Sequence, residues 1–252
     1  MIIPTYNEGF TVGKVIDETL KVIDGDILVI DDNSADGTRQ VVNQYLNSGK
    51  VSMLERPSKL GLGTAYIEGF QWGLRKNYDL FFEMDGDLSH DPKAIPHFIK
   101  KIEEGHDMVI GSRYLNKTIN VVGWDFKRVL LSKFGNWYAR TLLDLHAFTD
   151  LTSGYRCYTR KALETADLIR IKSNGYAFQI EMVYRIYRAG LQIAEISIIF
   201  YERSGGTSKM DNKIVREAAL LPLRLKIRDS LSPNPFSLPG RKKDRPMARP
   251  YK

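Results

Sequence analysis

The chain has 252 residues, of which 43% are hydrophobic and 27% are charged, and it contains one cysteine. A chain of this length can bury a substantial core unaided, and the single Cys157 excludes a disulfide framework and a cysteine-based zinc site. We expect Cys157 to be a small buried residue in a reducing, intracellular setting. No apolar run of about 18 residues is present and the first four residues are too short for a signal peptide, so no membrane span or leader is predicted.

The net charge of +7 is concentrated at the end of the chain. Residues 1–223 contain 28 Lys and Arg and 28 Asp and Glu, whereas residues 224–252 contain nine basic and two acidic residues. A neutral body argues against a globally basic nucleic-acid-binding domain, and the basic end has no interleaved aromatic residues apart from Tyr251. The pattern indicates a local contact with phosphates, anionic lipid or an acidic partner, and no nucleic acid.

Short apolar runs alternate with segments of helical spacing along the first half of the chain. Strands are predicted at residues 2–3, 27–30, 51–54, 80–82 and 108–110, and helices at residues 11–23, 36–47, 62–76 and 92–104. Asp36 and Asp91 have the sequence context of helix N-caps. About five alternations of strand and helix predict an open, doubly wound α/β fold with a mostly parallel, buried sheet.

The pattern changes after residue 111. Residues 123–147 mix aromatic and aliphatic side chains with Lys and Arg, which predicts one or two amphipathic helices, either buried in the core or lying at a membrane interface. A helix at 177–189, a strand at 193–201 and a last amphipathic helix at 212–229 are predicted next. Prolines then end regular structure, so we expect one domain over residues 1–231 and a flexible, Pro-rich basic tail over residues 232–252.

Four polar clusters follow predicted strands, at residues 4–8, 31–34, 85–87 and 111–113. Ligands of open parallel sheets bind beyond the carboxyl ends of the strands, so these clusters are expected to line one rim of the sheet. Like charges gathered at one site repel each other. Several acids at one rim therefore indicate a bound cation or a polyhydroxyl ligand.

Asp85 and Asp87 are the most specific of these acids. They lie two residues apart just after the apolar strand 80–84, where both side chains can turn toward one point. Mg²⁺ and Mn²⁺ are typically bound by one or two carboxylates together with substrate phosphates. The alternative is a loop whose acids only cap backbone N–H groups, but the neighbouring rim clusters favour a metal and phosphate site.

The sequence lacks the glycine-containing motifs of two common classes of nucleotide-binding protein. Asp31 and Asp32 end a strand as a ribose-binding acid does, but no Gly-x-Gly-x-x-Gly follows the first strand, and no P-loop sequence is present. The four histidines lack metal-ligand spacing, and no nucleophile elbow is visible. The sequence therefore favours neither a nicotinamide dehydrogenase nor a P-loop nucleotidase.

Three basic residues stand in loops that follow predicted strands. Arg113 comes after the fifth strand, and Arg203 and Lys209 stand in a Gly- and Ser-rich segment. Such groups are suited to contacts with a diphosphate, since guanidinium donates a forked pair of hydrogen bonds and ammonium acts as a point charge. The alternative for each is a solvated surface charge.

The ordered motifs resemble those of the family 2 glycosyltransferases and, within them, the dolichol-phosphate (polyprenol-phosphate) mannose synthases. The similarity runs from residue 2 to about residue 220 and is carried by residues 3–8, 29–38, 59–66, 84–90, 111–114, 152–156 and 203–209.

The resemblance implies a GT-A fold and inverting transfer of mannose from GDP-mannose to a dolichyl or polyprenyl monophosphate, with Mg²⁺ or Mn²⁺ as cofactor. It also implies a catalytic domain that works peripherally at the cytoplasmic face of a membrane, with a separate transmembrane protein as an expected partner. The helices at 123–147 and 212–229 and the basic tail are then expected to dock at the membrane. Relatives usually have several more residues before the first strand, so Met1 is interpreted as a late or misassigned start.

The resemblance also implies the roles of particular residues. The guanosine part is held by Pro4, Tyr6, Glu8, Ile30 and Asp32, and the sugar diphosphate is contacted by Asp85, Gly86 and Asp87. The metal ligands are Asp85, Asp87 and Ser89, where Ser89 is Gln in some relatives and so implies a weaker or water-mediated contact. Phosphates are contacted by Arg113, Arg203 and Lys209, and the acceptor phosphate by Arg128 and Ser132.

Two other functions stay open on the residues alone. The first is a related transferase that uses UDP-glucose or UDP-GlcNAc on the same lipid or on another acceptor, because residue physics does not decide the base or the sugar. The second is a catalytically silent scaffold that keeps the fold and binds membranes.

Overall fold

The computed structural model describes residues 1–203 and 212–231, with the side chains of the last helix described over 216–228. The strands are β1 (Ile2–Thr5), β2 (Ile27–Asp31), β3 (Val51–Glu55), β4 (Leu80–Glu83), β5 (Met108–Ser112), β6 (Val121–Val122), β7 (Arg156–Thr159), β8 (Ile193–Ser197) and β9 (Phe200–Tyr201). The α-helices are α1 (Val12–Leu20), α2 (Thr38–Asn43), α3 (Leu62–Arg75), α4 (Ile95–Glu103), α5 (Phe126–Leu143), α6 (Arg160–Ala166), α7 (Gly175–Arg188) and α8 (Asn212–Leu231).

Within the described residues, seven strands form one sheet in the order β3-β2-β1-β4-β7-β5-β8. Neighbouring strands are parallel except at β7, which runs antiparallel to both β4 and β5. Strands β6 and β9 pair in parallel as a small second sheet. The parallel strands bring the carboxyl ends of β1, β2, β4 and β5 to one edge of the large sheet, as the α/β prediction requires.

Helices cover both faces of the sheet because alternate residues of each strand point to opposite sides. Ile2 and Leu28 pack with helices α3 and α5–α8 in one cluster, whereas Ile3 and Val29 pack with α1, α2 and α4 in the other. All four side chains are almost fully buried. Burial on both sides explains the continuous apolar runs of the predicted strands and confirms the α/β fold.

The structure differs from the sequence prediction in several elements. Helix α6 and strand β6 were not predicted, and the helix predicted at 36–47 is α-helical only over Thr38–Asn43. Strand β7 was not predicted, because it begins with a charged residue, Arg156. The Arg156 side chain is fully buried and donates to the carbonyl oxygens of Leu151, Ser153 and Gln179. The single strand predicted at 193–201 is two strands in different sheets. Ile198 N–H still donates to Ser112, but Phe200 is already paired with Val121.

The predicted amphipathic region at 123–147 is one helix, α5, and the last helix packs against it. Tyr138 Oη donates to the Ala219 carbonyl at 2.8 Å, and Leu221 and Leu225 of α8 are buried in the core. The outer side of the two helices carries exposed apolar side chains, which are Phe126, Leu130, Leu131, Phe134, Trp137, Leu220, Leu223 and Ile227. One side of this region is therefore core, as the first alternative predicted, and the membrane-interface alternative stays a prediction for the exposed side.

Among the described residues, no helix combines the length and the apolar character that a membrane span needs. Cys157 is free and fully buried in β7, as predicted, and burial raises the pKa of its thiol. The predicted tail at 232–252 lies outside the described residues.

Candidate active site

A cleft of about 450 Å³ opens at the carboxyl edge of the sheet. Its walls come from the ends of β1, β2 and β4, from the segments around α5 and α7, and from the end of β9. The predicted site residues that line it are Pro4, Tyr6, Glu8, Asp32, Asp85, Gly86, Asp87, Ser89, Arg113, Arg128 and Arg203. Residues from six distant parts of the sequence thus meet at one place. Four of these parts are the clusters that the rim argument placed at one edge of the sheet, whereas Arg128 was expected from the resemblance alone.

Three predicted site residues are placed differently or lie outside the described chain. The Ile30 side chain belongs to the core cluster beneath the sheet and does not line the cleft. Ser132 lies on α5, where its Oγ accepts a hydrogen bond from Tyr114 Oη at 2.7 Å, and it too is absent from the cleft walls. Lys209 lies outside the described residues.

The loop after β4 holds Asp87 by a hydrogen bond to its own backbone. Asp87 is 4% exposed, and its Oδ1 accepts from Ser89 N–H at 3.0 Å. Its Oδ2 faces Arg203 Nη2 at 3.2 Å. The Gly86 carbonyl accepts from Thr11 Oγ1 at 2.7 Å, which ties the loop to the start of α1. The Asp87 carboxylate therefore lies in the cleft wall on a loop that these hydrogen bonds hold in place.

The polar atoms around Asp85 and Asp87 suit a hard divalent cation. Ser89 Oγ is buried and without a hydrogen-bond partner in the described chain, so it is left to bind another group. Two carboxylates and a hydroxyl are the oxygen donors that Mg²⁺ and Mn²⁺ accept, with substrate phosphates and water completing the shell. No set of three or more His, Cys, Asp or Glu in residues 1–203 and 212–231 could hold a metal ion by itself. The ligand set fits a metal that binds with its substrate.

Asp32 organises the opposite end of the cleft. Its Oδ1 lies 2.7 Å from Nη1 of the buried Arg56, and its Oδ2 accepts from the N–H groups of Leu60 and Gly61 at 3.1 and 2.9 Å. Gly61 has φ +98°, a backbone conformation that favours glycine, and a Cβ there would also collide with the Asn174 side chain. Asp32 thus shapes the loop before α3 as well as facing the cleft.

Tyr6 and Lys59 form an aromatic and cationic wall at the same end. Lys59 Nζ lies 4.3 Å from the centroid of the Tyr6 ring, and both residues line the cleft beside Glu8. A ring face, an ammonium and a carboxylate together can stack on a planar base and hydrogen bond with its edge. This end is suited to a nucleoside.

Arg113 is held in the cleft wall by a buried carboxylate. Its Nε and Nη2 donate to Asp150 at 2.6 and 2.7 Å, and its Nη2 also donates to Thr152. Burial alone would lower the pKa of the guanidinium, but the charge and hydrogen bonds of Asp150 outweigh burial and raise it. Burial likewise opposes ionisation of Asp150, and Arg113 nonetheless holds the pKa of this carboxyl below its ordinary value. The pair is charged, and Arg113 presents a fixed cation to the cleft.

A second carboxylate orients Asp150 from behind. Glu195 of β8 accepts hydrogen bonds from the N–H groups of Thr149 and Asp150, both at 2.9 Å, and from Thr149 Oγ1. Asn136 of α5 donates from its Nδ2 to Asp150, and its Oδ1 accepts from Leu151 N–H. Strand β8 and helix α5 therefore both hold the turn that positions Asp150 and, through it, Arg113.

Arg128 approaches from α5, where Asp125 caps the helix by accepting from Arg128 N–H at 2.7 Å. Its guanidinium Cζ lies 4.2 Å from the Trp124 ring centroid, and its Nη1 donates to Glu202 at 3.1 Å. Arg113, Arg128 and Arg203 thus line the same cleft as Asp85 and Asp87, and Arg203 lies 3.2 Å from Asp87. This arrangement can hold two phosphate-bearing ligands close together.

Glu83 lies directly beneath the aspartate loop and is fully buried. It accepts hydrogen bonds from Tyr158 Oη at 3.0 Å and from Nε2 of Gln179, which lines the cleft, at 2.8 Å. Burial raises the pKa of Glu83 to about 7, although Arg156 and both hydrogen bonds favour the charged form. The folded chain therefore retains a proton at Glu83 that the unfolded chain releases near its ordinary pKa.

This proton makes the stability of the protein depend on pH. The contribution of Glu83 to the free energy of unfolding is expected to fall as pH rises from about 4.5 to about 7, by an amount on the order of 3 kcal/mol. Glu83→Gln cannot titrate, so its free energy of unfolding should exceed that of the wild type by a margin that widens across this range. Urea denaturation at several pH values measures the margin. Glu103→Gln, at an exposed position of α4, is the control, and a margin that does not change with pH would contradict the prediction.

Several residues that line the cleft or support its walls were not found from the sequence. Arg56 follows a predicted strand and could have been found by the same rim argument. No local sequence pattern indicates the other four, which are Asp150, Trp124, Asn174 and Gln179. Their contacts with the site join distant parts of the chain.

The fold and cleft are those of a nucleotide-sugar transferase, and residues 1–166 match Glycosyl transferase family 2. The chain therefore belongs to this family, which confirms the resemblance predicted from its motifs.

Two relatives make the comparison more specific. Over 224 residues the chain is 41% identical to polyprenol monophosphomannose synthase of Mycolicibacterium smegmatis, covering 86% of this chain and 83% of that protein. It is 42% identical over 224 residues to undecaprenyl-phosphate mannosyltransferase of Micrococcus luteus, covering 87% and 90% of the two chains.

Solved structures agree with the fold. Glucosyl-3-phosphoglycerate synthase from Mycobacterium tuberculosis, in complex with Mn²⁺, UDP and glucosyl-3-phosphoglycerate, superposes with a TM-score of 0.64. The two chains are 19% identical, with 89% of this chain and 78% of that chain covered. The same enzyme with Mn²⁺ and UDP-glucose gives a TM-score of 0.64 at 20% identity, covering 90% and 77%. At this identity the likeness concerns the fold alone.

Proposed function

We propose that this glycosyltransferase transfers mannose from GDP-mannose to the phosphate of a polyprenyl or dolichyl monophosphate, with inversion at the anomeric carbon. The observation that carries the proposal is the meeting of Asp85 and Asp87 with Arg113, Arg128 and Arg203 in one cleft. Both curated relatives are mannosyltransferases named for a polyprenyl lipid, and each matches more than four fifths of this chain.

The donor would lie along the cleft from the Tyr6 end to the aspartate loop. Tyr6, Lys59 and Glu8 would bind the base, and Arg113 and Arg203 would neutralise the diphosphate. Asp85, Asp87 and Ser89 would hold Mg²⁺ or Mn²⁺, which when bound stabilises charge on the leaving diphosphate. Arg203 faces Asp87 in this structure and would turn to the diphosphate once the donor is present.

The acceptor needs little activation. A phosphate monoester has a second pKa near 6 and is largely dianionic at neutral pH, so its oxygen can attack the anomeric carbon without a strong general base. Arg128 would bind this phosphate, and its contact with Glu202 shows that it takes an anionic partner. The chain then aligns the two phosphate-bearing substrates and neutralises the repulsion between them. Alignment and charge stabilisation are the larger part of catalysis when the nucleophile is already ionised.

The transfer assay separates this proposal from its nearest alternative. Purified protein with Mn²⁺, a polyprenyl phosphate and radiolabelled GDP-mannose is expected to form a labelled lipid, whereas UDP-glucose and UDP-GlcNAc are expected to give little product. If a UDP-sugar is the preferred donor, the proposed donor is wrong but the proposed site is retained. Absence of transfer from every donor would favour the silent scaffold.

We also propose that α5 and α8 place the cleft at a membrane surface. Phe126, Leu130, Phe134 and Trp137 recur at helical spacing on α5 and are 79%, 58%, 57% and 57% exposed. Arg128 of the same helix lines the cleft, so a lipid phosphate at Arg128 could extend its chain along this apolar side. The cytoplasmic side of the membrane and a transmembrane partner protein, both predicted from sequence, stay predictions.

Charge on the exposed side of α5 is expected to weaken membrane binding. Leu130→Glu with Phe134→Glu should lower the fraction that floats with phosphatidylglycerol and phosphatidylcholine vesicles at least tenfold, because each apolar side chain gains about 1.5–3 kcal/mol on burial. Ile169→Glu is the control, since Ile169 is 82% exposed but lies outside both helices. Equal flotation of the wild type and the double variant would contradict the prediction.

A further inference from the structure

Trp124 lies between the two arginines that the proposed function gives to the two reacting phosphates. Its ring centroid is 5.2 Å from Cζ of Arg113 and 4.2 Å from Cζ of Arg128. In the proposed function, Arg113 binds the donor diphosphate and Arg128 binds the acceptor phosphate. Phe200 packs edge-on against the same ring at 5.2 Å. One aromatic ring thus sets the spacing of two cations in the cleft.

The two arginines are fixed to very different degrees. Arg113 is 3% exposed and is held by paired hydrogen bonds to Asp150 and another to Thr152. The side chain of Arg128 is 32% exposed, and its ion pair with Glu202 is made by a carboxylate that is itself 48% exposed. Exposed ion pairs of this kind fix a side chain only weakly. The contact with Trp124 is therefore the more constraining restraint on the Arg128 guanidinium.

Packing against a ring face suits a phosphate-binding arginine. The Arg128 guanidinium lies over the Trp124 ring, and a cation–π contact uses none of the N–H groups that a phosphate would bind. The ion pair with Glu202 occupies one of those donors, at Nη1, whereas the contact with Trp124 occupies none. An aromatic neighbour can hence orient Arg128 without competing with the ligand.

We propose that Trp124 is a positioning residue, which transfers the fixed position of the Arg113–Asp150 pair to Arg128 and so places the acceptor phosphate against the donor. The inference rests on the proposed function, in that Arg128 binds the acceptor phosphate. Removal of the Trp124 ring should therefore affect the two arginines unequally. Arg113 keeps its hydrogen bonds to Asp150 and Thr152, whereas Arg128 loses the contact that restrains it most.

The test compares Trp124→Leu, Trp124→Phe and the control Trp72→Leu in the full chain. Trp72 lies on α3, stacks on Tyr78 and is not among the residues that line the cleft. Trp124→Leu is expected to raise the KM for the polyprenyl phosphate about tenfold and to leave the KM for GDP-mannose within about twofold. Trp124→Phe, which keeps a ring face, should recover most of the loss. Thermal unfolding of each variant reports folding separately.

A double variant shows whether Trp124 acts through Arg128. In an Arg128→Ala background, Trp124→Leu should add less than about twofold, since the group that it positions is already absent. Full additivity, equal changes in both KM values, or an unchanged acceptor KM would each overturn the proposal. A Trp124→Phe variant that folds but recovers nothing would do the same.

Binding of farnesyl phosphate, measured by calorimetry with GDP and Mn²⁺ present, separates this inference from the proposed function. Wild-type protein that binds the probe but transfers no mannose would contradict the function, and a tenfold weaker affinity in Trp124→Leu would still support the role of Trp124. Wild-type protein that does not bind the probe would contradict both.

Discussion

Replacing Asp87 by asparagine is expected to lower mannosyl transfer by about three orders of magnitude while the fold is retained. The amide oxygen of the new side chain can still accept the hydrogen bond from Ser89 N–H, so the loop keeps its shape. The substitution removes only the charge that faces the cleft. Charge stabilisation by a bound metal is worth several kcal/mol in the transition state, and each 1.4 kcal/mol corresponds to about a tenfold change in rate.

The assay is radiolabelled mannose transfer, with Mn²⁺ affinity measured by calorimetry in the presence of GDP. Asp91→Asn is the matched control, because Asp91 is an exposed acid four residues further along the chain whose Oδ1 caps the turn at Lys93. It should keep wild-type rates. An Asp87→Asn variant that retains more than a tenth of the wild-type rate would remove Asp87 from the metal site.

The rim of the sheet was predictable because it depends on short-range patterns. Apolar runs locate β1, β2, β4 and β5, and polar residues directly after each run must lie at the same edge of a parallel sheet. This argument placed Asp32, Asp85 and Arg113 in one cleft without any contact information. The role of Ile30 came from resemblance alone, and the alternation of β2 turns its side chain into the core.

The supports of the site were not predictable, because they depend on contacts between distant segments. Asp150 follows Arg113 by 37 residues and Glu195 follows Asp150 by 45, and no local pattern pairs them. Strand β7 inserts antiparallel between β4 and β5, which a reading of alternating parallel units does not anticipate. Sequence patterns thus identify residues that face the substrate, while tertiary packing determines what holds them.

Asp150→Asn is expected to lower the free energy of unfolding by about 3–5 kcal/mol. An amide at this position cannot supply the negative charge that compensates Arg113, and a buried charge without its partner is among the costliest defects in a protein core. The pKa of Asp150 lies below its ordinary value, so the wild-type carboxylate is charged at pH 7, where the loss should be measured. Urea denaturation measures it as a shift of midpoint at constant slope.

The same variant is expected to lose most of its transfer activity, since Arg113 would no longer be held by paired hydrogen bonds. Stability and function can be separated by adding Arg113→Met, which removes the uncompensated charge and fills a similar volume. Replacing a buried ion pair by groups without charge is often neutral for stability, so the double variant should recover most of the lost free energy of unfolding. It should remain inactive, because the cation that faces the donor diphosphate is gone. A double variant that regains both stability and transfer would show that Arg113 supports the fold and plays no part in binding phosphate.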